Sequence, residues 1–271
     1  MKLKLIAVAA FSTLISLAPY GPALAETAYP QSQASYLAAL DSYRTSQQAF
    51  QTAKQKYLDY KTLTSQTSAI SAGKSYLTSC INLVVSYLDI LMEKTRASSV
   101  LSSSEKDYIT DYYVKDRAYF NRSLQSISTL TTIEELEAIS TDLNTHLTTE
   151  TLPEIPLIRN IIAISDYRRF LEDLQSSLKN VTILFNNKDF LGTPTHDLIN
   201  TLLAETNDKI LSSSNLLNAA TTEVRNIREG NGGPDVPHRL DKSNETLRTL
   251  QVSLIDNANS LLEILARLIN G

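Results

Sequence analysis

Asp142, His146 and Glu150 fall four residues apart, a spacing that sets a carboxylate, an imidazole and a second carboxylate on one side of a helix. Such a stripe could hold a divalent metal if a facing helix supplied further ligands. Di-iron bundles repeat a Glu-x-x-His pair on two helices, and that repeat does not occur in this chain. With 3 histidines in 271 residues, no second cluster completes a site. The stripe therefore reads first as a solvated face near a helix end, and no cofactor or metal is expected.

Nucleophilic chemistry finds little support. His196 lies two residues past Pro194 and His238 directly follows Pro237, so both belong to expected helix first turns. Neither has a Ser or Cys nucleophile at a useful spacing, and no Gly-x-Ser-x-Gly elbow occurs. Cys80 sits among Leu77, Ile81 and Val84, where desolvation disfavours the reactive thiolate. It reads as buried filler, and the chain reads as non-enzymatic.

A third grouping suggests recognition. Tyr108, Tyr112 and Tyr119 share the more polar side of one helix, while Tyr113 belongs to its apolar seam. Tyrosines that expose both a ring and a hydroxyl are favoured at partner interfaces. These three are the partner-binding candidates.

Helices must position all of these residues. Leu240, Leu247, Leu254, Leu261 and Leu268 step by seven, with Leu250, Asn257 and Ile264 on the adjoining seam. Leu203, Ile210, Leu217 and Val224 repeat the period one helix earlier. A 3.5-residue apolar repeat is that of helices packed lengthwise. The Gly230 to Pro237 stretch can end one arm and open the next, so an antiparallel hairpin is predicted. Leu157, Ile164, Leu171, Leu178 and Phe185 define a third long helix, opened by Pro153 and Pro156 and closed near Gly192 and Pro194. The layout of these last three helices is similar to a spectrin-type three-helix unit, as an analogy of architecture alone. The Trp often used in such cores is missing.

The region before Pro153 predicts four shorter helices. The first runs from Gln31 to Leu63 with an aromatic seam of Tyr36, Tyr43, Phe50 and Tyr57, and Ala39, Ser46 and Ala53 beside it to accommodate the rings. The second spans Ser71 to Ala97 and is the most apolar. The third follows Ser102-Ser103-Ser104, and the fourth opens at the capping box Thr132-Ile133-Glu134-Glu135. No segment sustains a period of two. The fold class is therefore all-α: elongated antiparallel helical bundles with heptad packing, about seven helices, the C-terminal part an up-down-up three-helix bundle. The expected division is a signal peptide over 1–25, a four-helix region over 26–152 and a three-helix bundle over 153–271, with one continuous elongated domain as the alternative.

The N-terminus predicts the compartment. Lys2 and Lys4 precede an apolar run from Leu5 to Leu17, and Ala23-Leu24-Ala25 supplies the small-x-small cleavage pattern. The run is shorter than the roughly 20 residues a membrane helix needs, and no other stretch reads as a membrane span. Cleavage after Ala25 would leave 23 basic against 29 acidic side chains, net −6. That balance opposes a nucleic-acid partner, which wants a basic surface. An intrachain disulfide is excluded because Cys80 is the only cysteine. The sequence thus predicts an exported, secreted, periplasmic or cell-surface protein with no transmembrane anchor. It would act as a structural or protein-binding module toward a protein or envelope component, or toward another copy of itself as a homo-oligomer. A small-ligand or metal-binding bundle is the alternative.

Overall fold

The computed structural model describes residues 30–186, 194–230 and 236–270. The expected signal peptide over 1–25 and most of the glycine-rich turn lie outside them. The described residues form helices α1 (Pro30–Tyr60), α2 (Leu63–Ala97), α3 (Ser103–Thr129), α4 (Ile133–His146), a π-helical turn (Leu147–Thr151), α5 (Leu152–Asn186), α6 (Pro194–Arg228) and α7 (Val236–Asn270). No strand occurs among the described residues, and the fold is all-α. The chain divides into two compact units, residues 30–97 with 102–155 and residues 98–101 with 156–270.

In the first unit, α2 packs against each of α1, α3 and α4. A helix covered on several sides must be apolar on several sides, and Leu77, Cys80, Ile81, Leu83, Val84 and Leu88 are all buried. By length and composition α2 could cross a bilayer. That corrects the sequence expectation that no second stretch would, and here its apolar residues are the core of the unit. The aromatic seam of α1 meets α2. Phe50 stacks on Tyr76 at 5.5 Å between centroids, and Tyr43 lies 5.7 Å from the same ring. Gly73 of α2 makes room for them: a Cβ there would stand 2.4 Å from Leu136 Cδ2 and 3.2 Å from the Phe50 ring.

Helix α2 begins at Leu63 rather than near Ser71. Thr62 is its cap: the Thr62 hydroxyl accepts the Ser65 backbone N–H at 3.2 Å, satisfying a donor the helix cannot. The Ser/Thr-rich first turns resemble a loop in composition, but Thr67 donates back to the Leu63 carbonyl and stays helical. Ser102 with Glu105 and Thr132 with Glu135 form complete capping boxes for α3 and α4.

The prolines give the second correction. Pro153 falls in the first turn of α5, as expected, but follows no break, and Pro156 lies inside the helix: the backbone is helical without interruption from Ile133 through the π turn to Asn186. A proline within a helix has no N–H to donate, and its ring strikes the carbonyl four residues back. Here the Leu152 N–H reaches five residues back to Leu147 O. The widened π turn loosens the ladder just ahead of Pro153, which is where the ring needs space.

The second unit is built on heptads. Along α6, Ile199, Leu203, Thr206, Ile210, Ser213, Leu217, Ala220, Val224 and Ile227 are buried in alternating steps of four and three. Along α7, Leu240, Ser243, Leu247, Leu250, Leu254, Asn257, Leu261, Ile264 and Leu268 do the same. The cross-pairs run in opposite directions: Lys209 with Ser260, Ser213 with Ser253 and Glu223 with Arg239. The hairpin is antiparallel. Gly230 ends α6 with φ of 73°, the left-handed closure that glycine allows. Helix α5 completes the unit through Asn160, which donates to Ser243, and Phe185, stacked on His196 at 5.1 Å.

Candidate functional site

The face of α3 that carries Tyr108, Tyr112, Asp116 and Tyr119 lies against the end of α4, the π turn and the first turn of α5. Tyr108 donates to Glu154 at 2.5 Å. Tyr112 donates to Asp116 at 3.1 Å and reaches the Thr151 carbonyl at 3.4 Å. Asp116 meets His146 Nε2 at 2.5 Å, and Tyr119 donates to Asp142 at 2.8 Å. As the α3 number rises, its partner's number falls, so these bonds form an antiparallel ladder. The metal-like stripe and the tyrosine stripe of the sequence are its two sides.

Asp116 is the centre of the ladder. Its side chain is 2% exposed and that of His146 13%. A buried carboxylate is tolerated only where its lone pairs are filled. Here Tyr112, His146 and the Thr151 hydroxyl, at 3.1 and 3.2 Å, fill them. Thr151 is the last residue of the π turn, so the carboxylate ties α3 to the widened backbone. The imidazole is held flat by Tyr119, stacked at 3.5 Å, with Phe120 edge-on at 5.7 Å. Burial pushes the phenol of Tyr112 well above its ordinary range, and Asp116 adds to the shift. Burial does the same to Tyr119, with Asp142 adding. Both phenols therefore remain protonated donors.

Asp142, His146 and Glu150 each have a different partner, since Glu150 pairs with Lys115 at 3.4 Å. No group of three or more His, Cys, Asp or Glu is placed to hold a metal among the described residues. The expectation of a solvated stripe is corrected at His146, which is packed between rings; Asp142 and Glu150 do lie at the exposed edge. The tyrosine expectation is corrected in the same way. Tyr108, Tyr112 and Tyr119 are half-buried rather than exposed, and their hydroxyls bond within the unit. An aspartate holding an imidazole is part of a hydrolase triad, but here Tyr112, Thr151, Tyr119 and Phe120 surround the pair and tie it into the ladder.

A polar cleft of ≈ 330 Å³ lies elsewhere in the first unit, lined by Ser32, Asp89, Glu93, Arg96 and Tyr113 among others. Tyr113 donates to Asp89 at 2.6 Å, Arg117 also donates to Asp89, and Ser32 donates to Glu93. Tyr113, read from sequence as a seam residue, is thus part of a surface ion-pair network. Cys80 is fully buried, and burial pushes its thiol up to about 12. It is neutral filler, as the apolar sequence around it predicts.

Another feature escapes a search for buried seams. Val252, Ile255, Leu262 and Ile269 on α7 are 60%, 51%, 64% and 78% exposed. They point away from the Leu254–Leu261 seam, on the opposite face of the same helix. The sequence signal was available: 252, 255, 259, 262, 266 and 269 alternate steps of three and four. The deeper seam of the same helix masks it. No protein-family model, curated protein or solved structure matches this chain.

Proposed function

We propose that this chain is an exported, non-enzymatic helical module that works by binding another macromolecule through the outer face of α7. The exposed row of Val252, Ile255, Leu262 and Ile269 carries the reading. Single exposed apolar residues are ordinary, whereas an aligned row on one helix marks an interaction surface. The polar residues with chemical potential support it from the other side. Asp116, His146 and Thr151 are bonded to one another inside the first unit, where they brace the fold.

Export rests on Lys2, Lys4, the Leu5–Leu17 run and Ala23-Leu24-Ala25. Exported material should begin at Glu26 on N-terminal sequencing; an intact Met1 there would remove both the cleavage and the compartment. For binding, the mature protein and an Ile255→Asp/Leu262→Asp variant should be compared by pull-down from the cell-envelope fraction. Both should give the same circular dichroism at low temperature, since the changes fall on exposed positions. Partner capture should be lost in the variant alone. Equal capture by both would place the binding surface elsewhere.

A further inference from the structure

We infer that the outer face of α7 is occupied by α7 of a second copy of this chain, in a parallel pair with Asn259 facing Asn259. The inference rests on the reading that this face is the binding surface, and it names the occupant. Val252, Ile255, Asn259, Leu262, Ala266 and Ile269 are all exposed and follow the 3-4 alternation of a coiled-coil seam. A seam with that period is complemented by a helix of the same period, and α7 supplies one. The corresponding outward positions of α6 are Ala204, Asp208, Leu211 and Asn215, all exposed, and Leu211 is the single large apolar side chain among them.

Asn259 decides the register and helps decide the direction. In a parallel pair, equivalent positions share a layer, so the two amides meet and can bond to each other. A slip of one heptad would set each amide against Val252 or Ala266, and burying an unpaired amide is costly. An antiparallel pair would place Asn259 in a layer with Ile255 or Leu262, at the same cost. Charge agrees. Asp256 and Glu263 form the acidic edge of the seam, and both are exposed. In the parallel pair they face Gln251 and Ala258 of the other copy. In the antiparallel pair they face each other, which is repulsive. The two-fold contact closes on itself and gives a dimer, not a filament.

The test uses the mature full chain in sedimentation equilibrium, wild type against Ile255→Asp/Leu262→Asp. A dimer mass for the wild type, halved in the variant with unchanged helicity, supports the pair. A dimer that survives the double change means the copies meet elsewhere, and overturns it. An Ala266→Cys variant tests direction, because the natural Cys80 is buried and will not compete. A parallel pair places the two introduced thiols in one layer, and mild oxidation should give a covalent dimer. An antiparallel pair places them turns apart, so a dimer that fails to cross-link overturns the parallel register. If the wild type is monomeric at all concentrations, the second copy is ruled out. Should the double variant then still lose capture of another envelope protein, α7 remains a binding face. If capture is unaffected as well, both readings fail.

Discussion

The two units bury their interiors by different means. In residues 156–270 the core is a repeat: the same apolar step recurs along α6 and α7, and each layer resembles the next. In residues 30–97 with 102–155 the heptad seam of Tyr36, Tyr43, Phe50 and Tyr57 is confined to α1. There α2 is enclosed by α1, α3 and α4, aromatic rings fill the space left by Gly73, and a buried carboxylate satisfies donors from two other elements. A repeated core distributes stability over many equivalent contacts. A core of individual fittings concentrates it in a few, and their loss cannot be shared. Single polar substitutions should therefore be most damaging in the first unit, and the second should have room for improvement.

The largest effect is expected at Asp116. Asp116→Ala removes the acceptor of Tyr112, His146 and Thr151 and leaves them buried without it. Breaking such a buried arrangement costs about 3–5 kcal/mol, read as a fall in the urea midpoint. A cost below about 1 kcal/mol would mean the ladder is decorative. Leu254, 1% exposed, comes next. Leu254→Ala should cost about 3 kcal/mol through lost burial and the residual cavity. A negligible loss would place the leucine seam on the surface.

Asn257→Leu should move the other way. The residue is fully buried, its amide donates to Ser213 at 2.9 Å, and its Oδ1 has no hydrogen-bond partner. Ser213 keeps Ser253 and the Lys209 carbonyl in the variant. A gain of about 1 kcal/mol is expected, measured as a higher denaturation midpoint. A loss would show that the amide is better satisfied than its surroundings indicate.

The smallest effect concerns acid. A hydrogen bond from Arg239 holds the Glu223 carboxyl below its usual 4.5. A depressed pKa adds stability that is present above the unfolded value and is lost as pH falls through the folded one. The pair is near the surface, so its worth is at most about 1 kcal/mol. Arg239→Gln should flatten the stability profile below that pH and leave the acid response of the first unit unchanged. An unaltered profile would mean that the pair contributes nothing in solution.

The comparison also accounts for what was legible in the sequence. Period is a local property, so the Leu240–Leu268 and Leu203–Val224 steps predict α6, α7 and their hairpin. Capping is equally local, and Thr132-x-x-Glu135 marks the start of α4. The start of α2 is obscured because Ser and Thr serve both loops and helix first turns. Pro153 suggests a break because a widened turn leaves no mark in composition. The Asp116 ladder is the clearest limit. Both of its stripes are visible at helical spacing, Asp142, His146 and Glu150 in steps of four and Tyr108, Tyr112 and Tyr119 in steps of four and seven, but their facing each other is a tertiary fact. Read apart, Asp142-His146-Glu150 suggests a solvated face and Tyr108-Tyr112-Tyr119 a partner surface; in the fold Asp142 and His146 bond across to Tyr119 and Asp116. The division into separately folding domains is a proposal in the same spirit. Residues 156–271 expressed alone should melt cooperatively as a helical bundle, and a non-cooperative melt would mean that the units share their stability.

Cys80 extends the comparison into time. It is the only thiol in the chain, it is sealed in the first unit, and at neutral pH it is held in its unreactive form. A thiol reagent added to the native protein can consume it only during moments when α2 is uncovered. The labelling rate is then a clock for openings of the first unit alone, because the second carries no thiol and is silent to the reagent. When opening and closing are fast compared with labelling, that clock reads the free energy of opening; when labelling is faster, it reads the opening rate itself. One unmodified side chain thus separates the lifetimes of two cores built on different plans.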